Sequence, residues 1–387
     1  MTTGDPSSTI EARFELRAHV RRRILPRLAE LDGIASRIDE ILALHDALMG
    51  DDLAFDLRTG PRFPSNLCAE NANLEIGATF GRDRTGVRTQ MEPVCRRGVL
   101  KNRYTLARDR MASTMRALDE GFDEARFRSL WSTFMGGRVR FAHGEDATAT
   151  ILAAHHYSEG PPRLKAYFGC DYVDDRAHGF EIARSAIASL DDGAALVAQV
   201  ETLRAHFDDP VPRMVGFDFA PSAPVKAKMY VGSEGLSAEG LASLVRTVGG
   251  DARAEESVRA FLRSFVDDDG DDGVGALNLV CFALDARGPS LKLYARPVER
   301  MGDGETLARL APWFASLDRA HELAHVSAAL DAVCPSDVLA ETRGAFNYVS
   351  VDVTTAGVDK TSVYFVPQIP LAHLARTAPD RLPPFDR

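Results

Sequence analysis

RLKAYFG (163–169), VKAKMYVG (225–232), SLKLYARP (290–297) and KTSVYFVP (360–367) share one pattern, and reading it decides the fold. In each, a cation or small polar residue stands two positions before a tyrosine: Lys165 and Tyr167, Lys228 and Tyr230, Lys292 and Tyr294, Ser362 and Tyr364. Lys226 and Lys360 stand one further step of two away. Side chains alternate faces along a strand, so each cation and its tyrosine point the same way. The residues between them are apolar, so the opposite face suits packing against helices.

Each stretch follows another β-like run across a turn. The pairs are TATILAAHHYS before RLKAYFG, RMVGFDFAP before VKAKMYVG, ALNLVCFALD before SLKLYARP, and FNYVSVDVT before KTSVYFVP. LCAENANLEIGATFG with GVRTQMEPV makes an earlier pair. The segments GRDRTG, EGPP, APSAP, ARGPS and TAGVD between the halves carry turn residues, so the pairs read as five antiparallel hairpins.

Between the hairpins lie long stretches of helical periodicity, recurring at about 65 residues. A further helical segment covers about 8–50, with a kink or break at Pro26. No low-complexity linker interrupts the 387 residues, which predicts a single domain over 1–387. The predicted class is α+β. Helices covering one face of ten antiparallel strands leave a polar face for an enclosed interior, and closure into a barrel removes exposed edges.

Composition narrows the function. With 45% hydrophobic and 26% charged residues, the chain reads as an ordinary soluble globular protein. A net charge of -10 argues against general affinity for nucleic acid or anionic membrane, so cations for an anionic ligand must be concentrated locally. The five cysteines form no CxxC pair, and no run approaches a membrane span, so a cytoplasmic protein is expected. A barrel lined by lysine and tyrosine suits ionisation of an allylic diphosphate. Lysines neutralise the diphosphate, and tyrosine faces attract the carbocation by about 0.5–2 kcal/mol each.

These features resemble the aromatic prenyltransferases of the dimethylallyltryptophan synthase family. The likeness rests on the K-x-Y strands between helices and on LCAENANLE followed by GVRTQMEP, and it spans about residues 45 to 367. It implies a ten-stranded antiparallel β-barrel ringed by helices, built from repeated α-β-β-α units. It also implies transfer of a dimethylallyl or geranyl group from the diphosphate co-substrate to the indole of tryptophan or of a tryptophan-containing small molecule or peptide. By the same resemblance, no cofactor is expected to be required and magnesium is expected not to be essential, and the enzyme is expected as a monomer or homodimer.

Residue by residue, the resemblance carries the indole-accepting carboxylate to Glu75 in CAENANLE, with Glu92 as a lower-ranked acid. Diphosphate binding falls to Arg88 in VRTQME, Lys165, Lys226, Lys228 and Lys292. Lys226 stands where many members have arginine, which keeps charge but loses a bidentate fork. Lys292 stands where glutamine is frequent. The cation shield falls to Tyr167, Tyr230, Tyr294, Tyr348 and Tyr364, and Leu67 and Arg213 join Glu75 around the acceptor. For removal of the ring proton, AAHHYS offers His155 or His156, with His156 carried as the catalytic candidate.

Two louder motifs are set aside. HELAH (321–325) has the spacing of a zinc-protease helix, but only Glu341 follows within reach as a third ligand, and the segment is the fourth connecting helix of the repeat. DDDGDD, beginning at Asp267, fits a metal-binding DDxxD but reads as a solvated acidic loop. The remaining alternatives are a same-fold enzyme acting on phenols and a non-catalytic barrel holding a phosphorylated ligand.

Overall fold

The computed structural model describes residues 11–61, 65, 67–68, 72–80, 86–93, 100–135, 150–170, 176–266, 273–285, 288–333, 335–355 and 357–384. Its centre is a closed antiparallel barrel of ten strands in which every neighbour but one is consecutive in the chain. The hairpins are β1 (Leu74–Phe80) with β2 (Gly86–Met91), β3 (Thr150–Tyr157) with β4 (Arg163–Gly169), and β5 (Val211–Phe219) with β6 (Lys226–Gly232). They continue with β7 (Leu277–Leu284) and β8 (Ser290–Ala295), then β9 (Phe346–Thr354) and β10 (Gly357–Phe365). Pairing of β1 with β10, with Gly77 opposite Tyr364, closes the ring.

Three short N-terminal helices, α1 (Leu16–His19), α2 (Leu25–Leu31) and α3 (Ile38–Met49), precede the barrel. Pro26 falls in the first turn of α2, just after a π-type turn at Val20–Ile24, where a missing N–H is tolerated.

Each long helical stretch of the sequence is a helix pair. These are α4 (Leu100–Leu118) with α5 (Glu124–Met135), α6 (Arg176–Ala188) with α7 (Gly193–Arg204), α8 (Ala238–Thr247) with α9 (Ala252–Arg263), and α10 (Asp303–Ser316) with α11 (Ala320–Val333). A last helix, α12 (Gln368–Thr377), follows the barrel. In three pairs the break between helices carries a left-handed residue, Asp192, Gly249 or Asp318. Ser237 and Asp251 cap α8 and α9 by accepting backbone N–H groups. No helix among the described residues is long and apolar enough to cross a membrane.

Alternation along the strands produces two separate cores. Outward residues such as Leu164, Phe168, Phe217, Met229, Leu293 and Val363 pack against the helices in one large cluster. Phe134 of α5 stacks on Phe168 at 4.4 Å between ring centroids, with Trp131 edge-on at 4.6 Å. A smaller cluster, including Ile151, Tyr167, Tyr230, Leu279, Tyr294 and Tyr364, fills the lumen.

HELAH sits in the helical layer on α11. Glu322 accepts from Arg319 at 2.5 Å, and His325 Nε2 lies 3.0 Å from Asp32. Glu341 is exposed and contacts His373 at 3.1 Å. Glu322 and His325 thus tie α11 to its surroundings, and among the described residues no group of histidine, cysteine or carboxylate side chains is placed to hold a metal ion. DDDGDD lies outside the described residues.

Candidate active site

The second strand of each K-x-Y hairpin runs from the turn toward the opposite barrel end, so cation precedes tyrosine in height as it does in sequence. Lysines therefore form a layer near the turns, and tyrosines form the next layer up. Tyr167 and Tyr230 lie 5.8 Å apart between centroids, Tyr230 and Tyr294 6.0 Å, Tyr294 and Tyr364 6.0 Å, and Tyr294 and Tyr348 5.9 Å. The five expected shield tyrosines thus make one continuous aromatic wall. Glycines opposite leave room for it: a Cβ on Gly216 would come within 2.8 Å of the Tyr167 ring, and one on Gly77 within 3.2 Å of Tyr364.

A cavity of about 410 Å³ opens above this wall, lined by Glu75, Arg88, Gln90, four of the lumen tyrosines (Tyr167, Tyr230, Tyr294 and Tyr364), Tyr348, Leu67 and Arg213. Arg88 is 8% exposed and donates to the hydroxyls of Tyr364 (3.0 Å) and Tyr167 (2.5 Å) and to Gln90 Oε1 (2.6 Å). Its Nε–H has no acceptor among the described residues. Glu75 is fully buried, and its two oxygens accept from Gln90 Nε2 and Asn347 Nδ2. Burial raises its pKa to about 7, against the opposing pull of the Asn347 hydrogen bond, Arg88 and Arg296.

The lysines lie beyond the tyrosines and are paired with carboxylates that sequence reading missed. Asp218 of β5 serves both Lys165 and Lys228, at 3.2 and 2.8 Å. Burial opposes ionisation of Asp218, but the two lysines outweigh it and hold the pKa below the usual carboxylate range. Lys292 lies 3.2 Å from Asp352 and donates to Ser362 at 3.1 Å, with its ammonium 5.5 Å from the Tyr294 ring and 5.9 Å from that of Tyr364. Lys226 shares this face but stands at the rim, with its side chain 52% exposed and 3.8 Å from Asp285.

Three polar residues reach the upper end because β-bulges shift them out of the regular alternation. The register slips at Arg213 in β5, at Asn278 in β7 and at Asn347 in β9, each on the first strand of its hairpin. Arg213 lines the mouth and donates to Glu234. Asn278 accepts from the Tyr348 hydroxyl at 3.3 Å. Arg296 and Glu299, 2.9 Å apart, complete the charged rim, with the guanidinium 5.6 Å from the Tyr348 ring centroid.

Two expectations are corrected by the geometry. Ile151, Ala153, His155 and Tyr157 of β3 face the lumen, so His156 points outward into the helical layer, where its Nδ1 lies 3.8 Å from Glu40 of α3. Burial lowers its pKa to about 4, and it does not reach the cavity. His155 faces inward near the lysines, stacked on Tyr157 at 3.9 Å, and burial beside Lys165 and Arg88 holds it neutral. Glu92 shares the parity of Arg88 but falls after β2 ends, where it accepts from Ser65 at 2.7 Å and pairs with Arg103 of α4 at 3.5 Å. Ser65 in turn accepts the Leu67 N–H at 3.1 Å, so Glu92 supports the cavity's lining from behind.

A closed ten-stranded barrel within a helical ring, with an aromatic wall between a lysine layer and a buried carboxylate, defines the class of aromatic prenyltransferases. The chain belongs to the tryptophan dimethylallyltransferase family, whose profile matches residues 35–329. Among solved structures, 5-dimethylallyltryptophan synthase from Streptomyces coelicolor shares 18% identity at a TM-score of 0.74, over 94% of this chain and 99% of that one. The 6-dimethylallyltryptophan synthase from Micromonospora olivasterospora, solved with DMASPP and Trp, shares 17% at 0.75, over 92% and 98%. AnaPT from Neosartorya fischeri shares 19% at 0.70, over 92% and 95%. No curated protein matches this chain significantly.

Proposed function

We propose that this enzyme transfers a dimethylallyl group from its diphosphate to the indole ring of tryptophan or of a small molecule containing it. The observation that carries this reading is the buried carboxylate of Glu75, held by two amide donors on one side of a cavity walled by tyrosine rings and Arg88. The 5- and 6-dimethylallyltryptophan synthases among its structural relatives support the same donor and acceptor.

In the proposed reaction the C1–O bond of the donor breaks and its electron pair leaves with the diphosphate. Arg88, Lys165, Lys228 and Lys292 meet that charge, Lys226 contributes from the rim, and the Nε–H of Arg88, unpartnered among the described residues, is a donor in reserve. The allylic cation is held against the faces of Tyr167, Tyr230, Tyr294, Tyr348 and Tyr364. A π pair of the indole forms the new C–C bond, Glu75 accepts the indole N–H as positive charge develops on the ring, and the ring proton then passes to the released diphosphate. Leu67 and Arg213 bound the acceptor end, with Arg213 meeting an acceptor carboxylate.

Side-chain cations take the place of a divalent ion in this scheme. Free buried Cys68 and Cys281 accord with a reducing cytoplasmic setting. The test is incubation with dimethylallyl and geranyl diphosphates against tryptophan, tryptophan-containing dipeptides, tyrosine and dihydroxynaphthalenes, with EDTA present. Alkylated indole is the expected product. Exclusive alkylation of the phenols would replace the acceptor assignment, and diphosphate binding without any product would leave a non-catalytic barrel.

A further inference from the structure

We propose that Gln90 is a positioning residue, locked by Arg88, that holds Glu75 in its acceptor role and ties it to the anion-binding end of the lumen. Gln90 follows Arg88 by two positions on β2 and so shares its inward face. Its amide oxygen accepts from Arg88 Nη2 at 2.6 Å, and its amide nitrogen donates to Glu75 Oε1. A flipped amide would set NH₂ against a guanidinium and C=O against a carboxylate, so the guanidinium fixes which end faces Glu75.

Asn347 donates to the other carboxylate oxygen. Each oxygen of Glu75 thus has an amide donor, an arrangement that favours the ionised acid and opposes its burial. Glu75 needs that support, because burial pushes its pKa to about 7. An acceptor's N–H must find a carboxylate there, since a protonated acid would offer an O–H where an acceptor is required. Arg88 also grips Tyr364 and Tyr167, so the same guanidinium that faces the donor's diphosphate orients the group that faces the acceptor.

The inference rests on the reading of Glu75 as the acceptor-facing carboxylate, and its test has a readout independent of turnover. The side-chain carboxyl carbon of Glu75, labelled with ¹³C and assigned by its loss in Glu75→Gln, is titrated by NMR in the free protein. Gln90→Met removes the donor at nearly equal size, and Gln90→Glu keeps the contact to Arg88 while offering Glu75 no donor. Both are expected to raise the Glu75 midpoint by about one unit. Arg88→Lys retains the charge but loses the fork that sets the amide, and it is expected to shift the midpoint in the same direction.

In turnover, Gln90→Met is expected to lower kcat about fivefold at neutral pH and to move the acid limb upward, with KM for the prenyl diphosphate little changed. A midpoint unmoved in both Gln90 variants overturns the role. If the midpoint shifts but wild-type enzyme alkylates no acceptor, the catalytic reading of Glu75 fails and the positioning by Gln90 stands.

Discussion

Asp218 Oδ2 stands 3.2 Å from Lys165 Nζ and 2.8 Å from Lys228 Nζ, one carboxylate shared by a buried and a partly buried ammonium group. Removing it leaves both cations uncompensated. Asp218→Asn is expected to lose about 3 kcal/mol of stability at pH 7, and inorganic pyrophosphate should raise its Tm more than that of wild type. Because the folded pKa of Asp218 is depressed, its contribution is present above the unfolded carboxylate pKa and is lost as pH falls through the folded value. The variant's unfolding curve should therefore converge with that of wild type in acid, which chemical denaturation at stepped pH would check.

Glu75 carries the opposite sign. Its pKa is raised from 4.5 to about 7, so between those values the folded protein keeps a proton that the unfolded chain has released. Stability attributable to this group falls by about 3 kcal/mol as pH climbs through that window. Glu75→Gln should abolish that slope. In turnover, kcat should decline about tenfold per pH unit well below neutrality, and Glu75→Gln should be slow at every pH while binding prenyl diphosphate normally.

Tyr294 touches Tyr230, Tyr348 and Tyr364, so it joins the wall's two arms. Tyr294→Leu should raise the ratio of hydrolysed to transferred prenyl group by roughly 2- to 30-fold, the range set by one cation–π contact. Quantifying free prenol against alkylated acceptor measures it. Tyr294→Phe, which keeps the ring face, should stay close to wild type.

Gly216 tests whether the wall's placement matters apart from its composition. A methyl there would come within 2.8 Å of the Tyr167 ring, itself bonded to Arg88. Gly216→Ala should cut kcat/KM by tenfold or more, roughly the cost of displacing a packed group in a well-filled core, while far-UV circular dichroism stays unchanged.

The barrel and its lysine–tyrosine face are legible in the sequence because one side of each second strand is apolar and the other is not, which fixes parity. β3 gives no such cue. TILAAHHY is buried on both faces, so hydropathy does not tell His155 from His156, and the structure alone separates them. Asp218 and Asp352 sit on first strands, where inward positions mix Met214, Gly216 and Asp218 and show no repeating pattern. Gln90 was within reach of the two-residue rule that places Arg88. Asn347 was not, since a bulge resets the count, and alternation from Tyr348 would turn it outward.

The slips at Arg213, Asn278 and Asn347 fall on successive hairpins at the same barrel end, and each places one extra residue opposite its partner strand. Exchanging Arg213 or Asn278 is expected to alter the rim and leave the lysine layer in place, whereas exchanging the buried Asn347 removes a donor from Glu75. Under the proposed roles, the lysine layer is tied to the pairing of the strands, whereas Arg213 and Asn278 at the mouth stand outside the regular count, so single substitutions there are expected to change which acceptor fits before they change how the donor is held.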